Sequence, residues 1–247
     1  MKKMVLIIAL FAFIFTGYAQ EDDKSYKMYE ILYLTPRTDR IMELNEALAN
    51  HNKTYHKDAP YQAHVWMVNT GPHTGDLAWV MGAVTFTDLD SRPESEEHTE
   101  DWMKNVMPNV KKVSDGEYWK QDEKVSYSPE GSFTGKEIWT VYDIVPFEGY
   151  RFTALLENVV EVYKAKNYPN YFQVYRSEFD GGNGHDVAIG FGFKNYAFFD
   201  EDEKFWKDYE EVHGEGSRWK FFEEYREVVK GSYDELSEFM PELSSGE

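Results

Sequence analysis

HDVAIGFGFKNYAFFD, His185 to Asp200, follows the pattern of GDLAWVMGAVTFTDLD, Gly75 to Asp90, which lies 110 residues earlier. Superposed, the two stretches match Asp76 to Asp186, Ala78 to Ala188, Gly82 to Gly192 and Asp90 to Asp200. The same offset, with no gap, lays KMYEILYLTP (Lys27 to Pro36) on EIWTVYDIVP (Glu137 to Pro146), and Tyr61 on Tyr171. Six identities are few, but the order of apolar runs and turn signals is shared, which points to a duplicated unit.

Working outward, each half has the same plan. A β-rich run ending at a proline comes first (Met28 to Leu34; Ile138 to Val145). A helical period follows, through Ile41, Leu44, Leu48, His51 and Tyr55 in one half and Phe152, Leu155, Leu156, Val159 and Tyr163 in the other. Asp39 stands where an N-cap is expected. Two strands joined by a glycine-rich connection come next, then a second helix and a short last run holding Pro129 or Pro241. This predicts an α+β chain of two tandem βαββαβ, or ferredoxin-like, repeats over residues 25–130 and 136–243.

The connection ahead of the second copy, DGGNGHDVAIGFGF from Asp180, resembles a phosphate or cation loop in composition. A phosphate cradle needs a following helix, and DVAIGFGF is strand-like. A calcium loop needs acidic ligands at alternating positions and a distal carboxylate, where only Asp180, Asn183 and Asp186 are on offer. The stretch therefore reads as a hairpin turn, with NTGPHTGD (Asn69 to Asp76) as its counterpart. Gly190 and Gly192 share a strand face, either for close packing or to leave room for a ligand.

The N-terminus reads as a cleavable export signal over residues 1–19. It has a basic start at Lys2 and Lys3, an apolar run from Met4 to Phe15, and small residues at Gly17 and Ala19. The mature chain is expected to be secreted or periplasmic, without a membrane anchor. It has no cysteine, hence no disulfide framework and no thiolate chemistry. Its formal charge of −19, or −21 once Lys2 and Lys3 leave, argues against nucleic acid or anionic lipid as partners.

Two tandem ferredoxin-like halves in one chain resemble the dimeric α/β-barrel superfamily, which includes antibiotic-biosynthesis-type and haem-degrading monooxygenases and the fused chlorite dismutases. The resemblance covers about Ser25 to Pro241 and rests on element order, since no family-specific motif is present. It implies a shielded, mostly apolar cleft for a small molecule, and it transfers no activity, because this architecture hosts many. The iron ligand that it implies for chlorite dismutases would stand in GYRFTALLENVVEVYKAKNY, which has no histidine. Haem-degrading relatives imply a histidine on the later helix, where His98 and His213 lie. Haem is therefore a lesser alternative, with His213 as its ligand, and the absence of any cofactor is the leading expectation.

Polar residues on strands mark the remaining candidates. Glu30 shares a face with Met28, Leu32 and Leu34. His64 alternates with Gln62, Trp66 and Val68, Arg176 falls on Trp66 in the ungapped alignment, and Tyr33 falls on Asp143. Glu30, His64, Arg176 and Tyr33 are the expected site, with His64 and Glu30 able to move a proton, unless they lie at strand ends or in internal ion pairs. His51 and His56, five apart, suit neither one helix face nor a zinc-protease pair, so no metal site is expected. No Ser-His-Asp order, G-x-S-x-G elbow or H-E-x-x-H signature is present. The aromatic helix from Phe205 to Tyr225 reads as core or interface. The expected function is non-catalytic small-molecule binding in the cleft. The alternative is a cofactor-independent, monooxygenase- or isomerase-like enzyme on a small oxygen-containing substrate; a haem-binding protein and an interaction protein that assembles as a homo-oligomer are the lesser readings.

Overall fold

A computed structural model describes residues 26–93, 95–179, 181–201 and 204–246, so the expected export signal lies outside the described residues. Its strands are β1 (Met28–Pro36), β2 (Ala63–Val68), β3 (Leu77–Val84), β4 (Val110–Val113), β5 (Glu117–Gln121), β6 (Lys136–Ile144), β7 (Phe172–Ser177), β8 (Val187–Gly192) and β9 (Val229–Phe239). The helices are α1 (Ile41–Tyr55), α2 (Phe86–Asp90), α3 (Glu96–Asp101), α4 (Gly149–Lys166), α5 (Phe205–His213) and α6 (Ser217–Val228). No helix among the described residues is long and apolar enough to cross a membrane.

All strand pairs are antiparallel, in the order β3-β2-β9-β6-β8-β7-β5-β1-β4, and β1 also pairs with β3. That last pairing closes the sheet on itself. β4 and β5 lie on the same edge of β1, so they are two pieces of one staggered strand, and the closed structure is an eight-stranded antiparallel barrel. Strands of the first half are contiguous (β4/β5-β1-β3-β2), as are those of the second (β9-β6-β8-β7). The halves are sewn together by β2 with β9 and by β5 with β7.

Helices cover the outside of the wall, so strands are apolar on both faces. On β1, Met28 and Leu34 pack outward with Leu44 and Leu48 of α1. Ile31 and Tyr33 point inward with Trp119, Val141 and Ala188. In the second half, Phe152, Leu155, Leu156 and Val159 of α4 pack on Val174, Val187 and Ile189. Burial of these faces is the main stabilising term, at roughly 25 cal/mol per Å² of apolar surface removed from water.

Three expectations are corrected. Asp39 does not cap α1: Arg40 holds the N-cap position without a side-chain hydrogen bond, and Asp39 sits 3.6 Å from Arg37. Pro129 lies beyond β5 in a turn accepting from Ser132 N–H, and Pro241 opens a 3₁₀ turn after β9, so neither belongs to a strand. The ungapped alignment slips by one residue at the second strand. Val65 pairs with Trp79 and Val174 with Ile189, 110 residues on, so Val174 occupies the place of Val65. A one-residue slip reverses the face of every side chain, which moves Arg176 off the face of Trp66.

Candidate functional site

Inside the barrel is a cavity of about 410 Å³. It is reached from the strand ends where Tyr29, His64, Glu137 and Phe239 lie, beside Ser132 and Phe133 of the 122–135 connection. Inward side chains alternate along each strand, as the two-residue period requires. The walls are aromatic: Trp139 packs on Tyr175 at 5.2 Å and edge-on against Trp119 at 5.9 Å, while Tyr29 meets Tyr175 edge-on at 5.8 Å.

The polar groups near the mouth centre on Glu137 at the start of β6. Its Oε2 accepts from the Tyr171 hydroxyl at 3.0 Å, and no basic side chain pairs with it among the described residues. Desolvation inside the wall pushes its carboxyl up to about 7, against the smaller opposing effect of the Tyr171 hydrogen bond. Part of its surface still opens on the cavity. Gly190 and Gly192 make this arrangement possible. A Cβ on Gly190 would stand 3.0 Å from Glu137 Oε2, and one on Gly192 would overlap the Tyr171 ring. His64 lies on the same lining; burial lowers its pKa, which favours the neutral imidazole, and that imidazole has no hydrogen-bond partner among the described residues.

The opposite end is closed by the two hairpin connections, each of which brings a histidine to a carboxylate of the other half. His73 of the β2–β3 connection donates its backbone N–H to Glu235 Oε1 at 3.0 Å and holds the same oxygen through Nδ1 at 2.8 Å. Glu235 is 1% exposed and also accepts from the Tyr33 hydroxyl at 3.3 Å, with the Tyr33 and His73 rings stacked at 3.7 Å. His185 of the β7–β8 connection binds Glu117 Oε1 at 2.6 Å, and Trp119 Nε1 donates to the other oxygen at 3.0 Å. The glycine-rich stretch beginning at Asp180 is thus a connection between strands over its described residues, and its polar side chains work in structure: Asp186 accepts from the Ile144 amide at 2.7 Å.

Of the expected site residues, His64 and Tyr33 line the cavity, one near the mouth and one at the floor. Glu30 and Arg176 do not. Glu30 faces the helical layer, where Arg92 and the Tyr118 hydroxyl bind it. Arg176 reaches Asp122 at 3.0 Å and the Thr153 hydroxyl at 2.8 Å, also outside the wall. Strand parity separates His64 from Glu30, so the structure does not bring them together for proton transfer. Glu137 and Tyr171 were missed; the available signal was parity, since Glu137 shares the face of Trp139 and Val141.

Haem with His213 as its ligand does not fit these residues. His213, on α5, has Nε2 engaged at 3.0 Å with the Asn158 carbonyl and Nδ1 3.8 Å from Glu161. It faces a hollow among α4, α5 and α6 rather than the barrel cavity. The space between α4 and its sheet is filled by the second-half core.

No family model and no curated relative match the chain. Solved structures match its fold along most of its length. A protein from Lactobacillus acidophilus assigned as a monooxygenase superposes with a TM-score of 0.56 at 11% identity, covering 89% of this chain and 96% of its own. An anthrone oxidase-like protein gives 0.55 at 13%, over 91% and 95%. Chlorite dismutase from Candidatus Nitrospira defluvii gives 0.52 at 11%, over 88% and 93%. The chain therefore has a mixed α/β fold similar to that of the dimeric α/β-barrel proteins. At such identities the likeness is one of fold.

Proposed function

We propose that the barrel binds a small, flat, largely apolar molecule carrying a hydroxyl or carbonyl oxygen, which Glu137 and Tyr171 orient inside the aromatic walls. The observation that carries this reading is a carboxyl without a cationic partner, facing an apolar cavity and poised near neutrality. Protonated, it donates to a carbonyl; ionised, it accepts from a phenol or enol. Pockets with a few convergent polar groups and a perturbed titratable residue are the usual form of small-molecule sites.

The same carboxyl favours a second reading, cofactor-independent catalysis, because a base poised near the working pH is the efficient one. Glu137 would take a proton from the bound substrate. The resulting anion would regain that proton at another carbon, an isomerisation, or add dioxygen to give a peroxide anion, which takes the proton back from Glu137 and loses water, leaving one oxygen atom on the substrate as a carbonyl, a monooxygenation. The monooxygenase-assigned and anthrone oxidase-like neighbours support this direction by analogy of fold. Tandem ferredoxin-like repeats belong to the same proposal, supported by the last-first-third-second strand order found in each half. So do export through a cleavable signal over residues 1–19 and homo-oligomeric assembly.

The test is saturation binding of 2-naphthol, followed by tryptophan fluorescence, to the protein and to Glu137→Gln and Trp139→Ala. Saturable binding weakened about tenfold or more in either variant is expected, since a hydrogen bond to a charged group contributes about 1.5–3 kcal/mol. Binding that neither variant changes would remove the barrel cavity as the site.

A further inference from the structure

Three histidines from two stretches of the first half converge outside the barrel. His51 lies in the last turns of α1, His56 is its C-cap residue, and His98 belongs to α3. One ring nitrogen of each lies within 4.8 Å of the others, and His51 Nε2 is 3.2 Å from His98 Nε2. A tetrahedral zinc ion with Zn–N bonds of about 2.0–2.1 Å sets its ligand nitrogens about 3.3–3.4 Å apart, close to that spacing.

The far sides of two of the rings are already held. His51 Nδ1 lies 2.8 Å from Asp101 Oδ2, and His56 Nδ1 lies 2.9 Å from the Tyr61 carbonyl. A carbonyl oxygen only accepts, so His56 carries its proton on Nδ1 and leaves the Nε2 lone pair bare; the Asp101 carboxylate favours the same tautomer in His51. A carboxylate or carbonyl behind a ligating imidazole is the usual outer support of a metal site, fixing the tautomer and raising the basicity of the ligating nitrogen. His51 is 1% and His56 5% exposed, whereas His98 is only half-buried and offers an entry side. Arg92 is the neighbouring cation, and its guanidinium is bound to the Glu30 carboxylate.

We propose that the Nε2 atoms of His51, His56 and His98 bind one divalent transition-metal ion of the zinc class, with Asp101 and the Tyr61 carbonyl as outer partners. Three imidazoles leave a fourth coordination position for water or an exogenous ligand. The ion would tie the end of α1 to α3. None of its ligands lines the barrel cavity, so the site is independent of the reading given above.

The test uses the untagged full chain, stripped with chelator and dialysed. Zinc is titrated by calorimetry, and cobalt(II) is followed by its visible absorption. One equivalent of zinc and tetrahedral-intensity cobalt bands are expected. His98→Ala, on the half-buried ligand, should abolish the cobalt bands while the metal-free melting temperature stays close to that of the parent. Asp101→Asn keeps all three ligands and should weaken affinity about 10–100-fold, which decides the matter if His98→Ala does not fold. No saturable uptake by the parent, or parent-like uptake by both variants, would overturn the site and leave a hydrogen-bonded histidine cluster.

Discussion

A hydrogen atom in place of a methyl group at Gly192 is what admits the Tyr171 ring to the barrel wall. Gly192→Ala is therefore expected to lower stability by about 1–3 kcal/mol, as overpacking does, read from the urea midpoint at unchanged m-value. A parent-like midpoint would show that the ring can move aside. Of the two readings offered for the Gly190 and Gly192 pair in the sequence, the structure shows the packing one: the Glu137, Trp139 and Tyr171 side chains fill the space that the glycines leave. Glu137 has a stability signature of its own. Its folded pKa is raised, so the fold favours the protonated form, and stability falls as pH rises from about 4.5 through about 7. The residue is only partly buried and borders the cavity, so the loss is on the order of 2 kcal/mol. Urea titrations at pH 5 and pH 8 should differ by that much in the parent, and by less in Glu137→Gln.

Between elements, the hairpin connections act as plugs. Each carries a histidine to a carboxylate on the last strand of the opposite half, so the floor of the barrel is held by crossed pairs, His73 with Glu235 and His185 with Glu117. Hydrogen bonding to Glu235, then that residue's charge, outweigh burial and raise the His73 pKa. A raised histidine pKa contributes stability that is complete below about 6.5 and is lost as pH rises through the folded value. His73 is partly open to solvent, so the contribution is about 1 kcal/mol or less after screening. His73→Gln should flatten the pH dependence of the melting temperature above pH 6, and an unchanged slope would assign no net stabilisation to the pair. The connections were legible as turns from Gly, Asn and Asp content. Their partners were not, since Glu235 and Glu117 are distant in sequence and meet these histidines only when the sheet closes.

At the scale of the whole molecule, the C-terminal residues finish what the strands leave open. β9 pairs with only the Trp66–Val68 end of β2. At the other end, Ser245 Oγ accepts from the Ala63 amide at 2.6 Å and Ser244 Oγ from the Val65 amide at 2.9 Å. Asn52 Nδ2 donates to the Leu243 carbonyl at 2.7 Å, and Leu243 is buried in the first-half core. Ending the chain at Met240 removes that leucine and strands two buried amides, and is expected to cost on the order of 4 kcal/mol. Equilibrium unfolding of the shortened chain checks it; a loss below about 1 kcal/mol would show that water replaces the serines.

What the sequence determined by itself was local and periodic: the runs that become strands, the apolar stripes of α1 and α4, and the turn character of the connections. These follow from side-chain period and backbone preference within a few residues. Tertiary structure alone decided which strand face lines the cavity. Both faces of these strands are apolar, one beneath helices and one inside the barrel, so alternation cannot say which is which, and a one-residue slip exchanges them. On that choice Glu30 and Arg176 lie outside the cavity, while Glu137 and Tyr171 line it together with His64 and Tyr33. The convergence of His51, His56 and His98 belongs with these decisions, because the packing of α3 on α1 places groups 47 residues apart within hydrogen-bond distance.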